Sequence, residues 1–169
     1  MSQKYLFKSK SYNTVASIDM DLLIQSGIKG IILDLDNTIV SEDDRYLSPH
    51  AEDWIQECKL RGLRFYILSN GSRRQRAKDW SARLDIPCFS PAKKPFPFAF
   101  YKAFDYLQLK SKQVVVIGDG FHTDVLGALI VGCPCIQIAS LPHPPRWWEK
   151  LIGKWIQKTY SPDDELWDL

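Results

Sequence analysis

Five apolar runs of strand length are spaced along the chain, at residues 30–33, 63–68, 86–89, 114–117 and 135–138. The segments between them carry apolar residues at helical spacing instead. Trp54, Ile55, Cys58 and Leu60 mark one helix, opened by Ser48 as its cap and Pro49 at the favoured first position. Trp80 and Leu84 mark a second, Phe100, Phe104, Leu107 and Leu109 a third, and Val125, Leu126 and Leu129 a fourth. Strand and helix in alternation, with strands that are apolar throughout, is the pattern of a parallel sheet covered on both faces. The expected fold is α/β, with about five parallel strands and helices on both faces.

The 169 residues suffice for one domain with a sizeable core, and 45% apolar content argues against disorder. A formal charge of +2 is too small to make nucleic acid the main partner. Charge is uneven: residues 1–18 hold Lys4, Lys8 and Lys10 and no acid, whereas 161–169 hold Asp163, Asp164, Glu165 and Asp168. The four cysteines (Cys58, Cys88, Cys133, Cys135) form no Cys-x-x-Cys pair, and Cys133 and Cys135 flank Pro134 in an apolar run. They are expected to be buried thiols in a reducing, cytoplasmic setting. No run approaches the ~20 apolar residues that span a bilayer. The N-terminus lacks a secretory core and is expected to be an ordinary mature one.

Three apolar runs end in polar residues: Asp34 after Leu33, Ser69 and Asn70 after Leu68, and Gly118-Asp119 after Ile117. In open α/β sheets ligands bind beyond the carboxyl ends of the strands, so these positions should converge. Asp34 and Asp36 lie two apart and share one face of an extended chain. Two such carboxylates repel unless a hard cation, a counter-charge or a shared proton compensates. A solvated turn would also accommodate an isolated Asp-x-Asp.

Asp34-x-Asp36-x-Thr38, Ser69-Asn70, Lys94-Pro95, and Gly118-Asp119 with Asp124 resemble the four motifs of the haloacid-dehalogenase (HAD) phosphohydrolases, in the right order. The run from Ile28 to Thr38, the segment Ala92 to Pro95 and Thr123 to Gly127 resemble the YqeG branch of subfamily IIIA. That branch is similar to the phosphatidylglycerophosphate phosphatases of mitochondrial type. The resemblance implies a Rossmann-like HAD fold and a Mg²⁺-dependent phosphatase acting through an aspartyl-phosphate. It makes Asp34 the nucleophile and Asp36 the general acid and base. Thr38, Ser69, Asn70 and Lys94 would bind phosphate. Asp34, the backbone carbonyl of Asp36 and Asp119 would hold Mg²⁺, with Asp124 behind them orienting the metal ligands or Lys94. Lys93 is then a solvated neighbour, and His122 is expected to be an exposed loop residue. The run Gly120-Phe121-His122 departs from the branch, which tends to carry a larger polar residue after Gly-Asp.

The stretches between Asp36, Ser69 and Lys94 hold little beyond one helix and one strand each, which leaves no room for a large cap domain. An open site admits a phosphate on a bulky object. Residues 1–140 are expected to form the phosphatase domain, with its core at about 28–140. The Pro-rich run from Leu141 to Pro145 precedes an expected amphipathic helix at 145–159 and an acidic tail, within 141–169. On that helix Trp147, Trp148, Leu151, Ile152, Trp155 and Ile156 share one half, and Arg146, Lys150, Lys154 and Lys158 the other. Such a helix either packs on the α/β body or on a partner subunit, or lies at the inner face of an anionic membrane. With the resemblance, this points to dephosphorylation of phosphatidylglycerophosphate. The alternatives are a soluble phosphoester, nucleotide or phosphoprotein substrate, or a non-catalytic binding module.

Overall fold

A computed structural model describes residues 12–169; Lys4, Lys8 and Lys10 lie outside them. The main sheet contains β1 (Gly30–Leu33), β3 (Arg64–Leu68), β4 (Cys88–Phe89), β5 (Val114–Gly118) and β6 (Cys135–Gln137). Their order is β4-β3-β1-β5-β6, and every neighbouring pair is parallel. Two short pairs stand apart: β2 (Tyr46–Leu47) with β9 (Trp167–Asp168), antiparallel, and β7 (Ala139–Ser140) with β8 (Lys158–Thr159), parallel.

Alternation along β1 explains the two-layer core. Ile31 and Leu33 face one layer, where α1 (Met20–Gln25), α2 (Ala51–Leu60) and α3 (Arg74–Leu84) supply Leu23, Trp54, Ile55, Trp80 and Leu84. Ile32 faces the other, where α4 (Pro97–Leu107) and α5 (Leu126–Ile130) supply Phe100, Phe104 and Ala128. Each of the leucine, isoleucine and phenylalanine side chains among them, removed from water, contributes about 1.5–3 kcal/mol before entropy is counted. The strand order switches direction between β1 and β5, the position where this architecture opens a crevice. Leu33 pairs with both Ile67 and Ile117, so Asp34, Ser69 and Asp119 leave the sheet at one edge.

Several elements differ from expectation. The second strand starts at Arg64, and the run at 86–89 is a strand only over Cys88–Phe89, Pro87 having no N–H to donate. The helix expected to open at Ser48-Pro49 begins at Ala51, after His50 in the left-handed region (φ 56°); the buried Ser48 hydroxyl has no hydrogen-bond partner among the described residues. Leu60 is solvent-exposed, and Leu109 lies past the end of α4. In α5 the inward residues are Gly127 and Ala128, while Leu126 and Leu129 face solvent. The cause is close packing: a Cβ at Gly127 would come within 2.4 Å of the Phe100 ring, so only a small residue fits there.

The long amphipathic helix over 145–159 is also absent. A π-helical turn at Glu149–Gly153 leads into α6 (Lys154–Ile156), and the chain then extends through Gln157 into β8. Pro144 and Pro145 precede the turn and cannot donate backbone hydrogen bonds. Pairing of Lys158 and Thr159 with β7 ends the helical stretch. Trp148 and Ile156 are half-buried, while Trp147, Leu151 and Trp155 face solvent at 77%, 69% and 78%. No helix among the described residues is long and apolar enough to cross a membrane.

Candidate active site

Asp34 follows β1 directly and its amide donates to the Ile117 carbonyl at 2.9 Å, which seats it against β5. Its carboxylate is buried and held on both oxygens. Lys94 Nζ lies 2.5 Å from Oδ1, and the Thr38 hydroxyl donates to Oδ2 at 3.1 Å. Lys94 Nζ also donates to Asp124 Oδ1 at 2.7 Å, and both side chains are almost fully dry. Asp124 Oδ2 in turn accepts from the Gly120 amide at 3.1 Å and the Thr123 hydroxyl at 3.2 Å. This tight arrangement needs Gly118, since a Cβ there would sit 2.4 Å from the Asp124 carboxylate.

Burial raises the Asp34 carboxyl well above the usual carboxylate range, and Lys94 only partly offsets it. Burial, with Asp124 beside it, pushes Asp119 up to about 6. Burial alone would lower Lys94, but the Asp124 and Asp34 carboxylates outweigh it and hold the ammonium above its ordinary value. The acids are thus crowded in a dry place, with one lysine as their buried counter-charge.

Asp34, Asp119 and Asp124 offer carboxylate oxygens that lie within 4.8 Å of one another. An all-oxygen set of buried carboxylates with surplus negative charge fits a hard divalent cation, not a soft one.

Around this centre, Asp34, Asp36, Asn37, Ser69, Asn70, Lys94 and Asp119 all line one cleft of about 440 Å³. The structure separates the two adjacent lysines clearly. Lys93 sits at φ 54° and is exposed, whereas Lys94 is buried. Two expected phosphate ligands have other partners. Thr38 is fully buried, spends its hydroxyl on Asp34 and is not in the cleft lining. Asn70 pairs its side-chain amide with the Lys94 backbone, at 2.7 Å to the amide and 3.0 Å to the carbonyl. Ser69 does face the cleft, donating at 2.8 Å to Asp36 Oδ2. His122 lines the cleft and meets the Trp148 ring edge-on at 4.8 Å; burial lowers its pKa.

Sequence reasoning assigned no site role to several cleft residues. Arg76, one of three arginines that follow Ser69, turns inward. Its guanidinium pairs with Asp36 Oδ1, reaches Asp44 at 2.6 Å, and donates to the Ser41 carbonyl at 2.9 Å. Glu42, Arg146, Trp148 and Gln157 also line the cleft. Arg76 stands among three arginines after Ser69, and Arg146 and Trp148 in the amphipathic stripe at 145–159, but neither pattern distinguishes a side chain turned into the cleft from one facing solvent.

Comparisons with known proteins bear on the family and the fold. The family model for mitochondrial PGP phosphatase matches residues 2–140. The chain is 38% identical over 127 residues to the probable phosphatase YqeG of Bacillus subtilis (strain 168), covering 75% of this chain and 73% of that protein. Among solved structures, a protein from Listeria monocytogenes serotype 4b superposes with a TM-score of 0.57 at 19% identity, over 70% of this chain and 84% of that one. The cobalt-bound deoxy-D-mannose-octulosonate 8-phosphate phosphatase of Haemophilus influenzae gives 0.56 at 19% identity, over 69% and 72%. These two likenesses support the fold. The sequence matches carry the family, and by them the chain belongs to the mitochondrial PGP phosphatase family, as a HAD phosphatase of the YqeG type.

Proposed function

We propose that the protein hydrolyses a phosphomonoester through an aspartyl-phosphate on Asp34, and that its substrate is phosphatidylglycerophosphate. The observation that carries the chemistry is the buried Asp34 carboxylate, fixed by Lys94 and Thr38 beside Asp119 at the switch point of the sheet. Asp34 attacks phosphorus while the P–O bond to the alcohol breaks; Asp36 gives the departing alkoxide its proton. Asp36 then takes a proton from the water that cleaves the acyl phosphate and restores Asp34. Ser69 and Lys94 hydrogen-bond the phosphoryl oxygens. Asp34, the Asp36 carbonyl and Asp119 are the groups we assign to Mg²⁺. Such an ion, when bound, neutralises charge between the anionic nucleophile and the anionic phosphate.

The family description supports the lipid substrate, as do Trp147, Leu151, Ile152 and Trp155, which are exposed on the segment that also places Trp148 in the cleft. Exposed tryptophan beside Lys150 suits peripheral contact with an anionic membrane, in a reducing cytoplasmic setting. We take residues 12–169 as one working unit. The test is phosphate release from phosphatidylglycerophosphate in mixed micelles with Mg²⁺, abolished by EDTA. No release from the lipid alongside turnover of p-nitrophenyl phosphate would move the substrate to a soluble phosphoester. Sedimentation with phosphatidylglycerol vesicles checks the membrane contact, and binding should drop at least about fivefold on Trp147→Ala/Trp155→Ala.

The contact between Arg76 and Asp36 makes a sharper prediction about proton transfer. An acid that protonates the leaving group matters most when that group is a poor one. Arg76 fixes where the Asp36 carboxyl points, so Arg76→Gln should lower kcat/KM about tenfold or more for alkyl phosphates and much less for p-nitrophenyl phosphate. An equal loss on both would leave Arg76 a purely structural role.

A further inference from the structure

The cleft has one wall that the four motifs do not supply. Residues between β7 and β8 bring Arg146, Trp148 and Gln157 into the same lining as Asp34 and Ser69. This wall is fastened to the loop that carries Asp119. The Gln137 side-chain amide donates to the Asp119 carbonyl and the Ile156 carbonyl, both at 2.9 Å. Lys158 Nζ donates to the Gln137 carbonyl at 2.9 Å.

Arg146 is the charged group on this wall. One of its terminal nitrogens pairs with Glu42 at 2.6 Å, and the other lies 3.8 Å from Glu149. The guanidinium carbon lies 5.9 Å from the centre of the Trp148 ring. Glu149 is itself fixed, accepting from the Arg146 amide at 2.8 Å and from Gln157 at 3.2 Å. The two glutamates hold the guanidinium on the wall. No side-chain N–H of Arg146 besides the one on Glu42 has an acceptor within hydrogen-bond reach among the described residues. The remaining donors of its planar fork are available to an oxyanion.

The phosphoryl group to be cleaved already has Ser69, Lys94 and the proposed cation site. Of the other cations lining the cleft, Arg73 and Arg76 are held by Asp44, Asp36 and the backbone carbonyls of Glu42 and Ser41, so Arg146, carried by a different segment, is the one not needed for that group. We infer that Arg146 binds a second anionic group on the alcohol half of the substrate, so that the enzyme selects phosphomonoesters whose leaving alcohol carries another phosphate. A cleft of about 440 Å³ accommodates two phosphates joined by a short polyol and falls in the size range of small-ligand sites. This rests on the phosphatase reading of the site and narrows its substrate class, whether the second phosphate belongs to a lipid or to a soluble ester.

The test uses the full chain, as wild type, Arg146→Gln and Arg146→Lys. Turnover is measured on glycerophosphoglycerol phosphate, which has an internal phosphodiester, and on glycerol 3-phosphate, which has none. Binding of both compounds is followed in parallel by intrinsic tryptophan fluorescence. Wild type should favour the two-phosphate compound in KM and in Kd. Arg146→Gln should erase about tenfold of that preference, chiefly in KM, with part recovered in Arg146→Lys. A wild type with no preference, or a loss that is equal for both compounds, would overturn the inference. Arg146-dependent binding of the two-phosphate compound without turnover of either would instead sink the phosphatase reading and keep the subsite. Lipid and soluble sources separate by repeating the measurement with phosphatidylglycerophosphate in micelles.

Discussion

Replacing Lys94 by methionine is expected to cost the protein about 3–5 kcal/mol of stability and all measurable turnover, although the two side chains are similar in volume. The Lys94 side chain is 2% exposed and sits between Asp34 at 2.5 Å and Asp124 at 2.7 Å. Without its ammonium, two buried carboxylates face each other, with an Asp119 oxygen within 4.8 Å. Removing one member of a buried charge network strands the others, a larger penalty than the network's net worth. For a chain of this size the melting temperature should fall on the order of 10 °C. Thermal melts with and without Mg²⁺ check the cause: the cation should restore part of the stability and none of the activity. Adding Asp124→Asn to Lys94→Met should also recover stability, giving a non-additive double-mutant cycle. A melting temperature within about 2 °C of wild type would refute the buried-network account.

Asp34→Asn should have the opposite sign in stability and an equally complete effect in catalysis. The amide keeps the shape and can still accept from Lys94 or Thr38, but it cannot attack phosphorus. Loss of a covalent nucleophile removes on the order of 10⁴-fold or more in kcat. The folded state should not suffer, because burial and the neighbouring Asp124, Asp119 and Asp36 all disfavour a charge at position 34. Lys94 keeps Asp124 as its partner. The expected result is a melting temperature at or above wild type, with phosphate release at the background of the assay. A destabilised Asp34→Asn would mean that the Lys94–Asp34 pair outweighs the desolvation and repulsion around it. Residual turnover above about 1% would point to a different nucleophile.

Legibility followed the range of each interaction. The apolar runs and their spacing foretold the parallel sheet, since strand burial on two faces is written in consecutive residues. The polar ends of those runs located Asp34, Ser69 and Asp119, because parallel strands present their carboxyl ends together. Helix edges were less legible. The second helix opens at Ala51 because His50, not Ser48, takes the turn into it, and α5 buries its small residues because Phe100 leaves no space for large ones. The C-terminal stripe had helical periodicity, yet pairing of β8 with β7 overrode it after α6.

The sequence by itself determined the layered α/β architecture and the strand ends at which Asp34, Ser69 and Asp119 stand; the choice of Lys94 over Lys93 as their buried counter-charge belonged to the tertiary structure. Tertiary structure alone decided how those groups pair. Thr38 went to the nucleophile, Asn70 to the Lys94 backbone, Arg76 to Asp36, and Arg146 to the cleft wall beside Glu42. Glu42 and Arg146 lie more than 100 positions apart in the chain. No local periodicity records a contact of that range; it exists only because packing brings two charged side chains into one crevice.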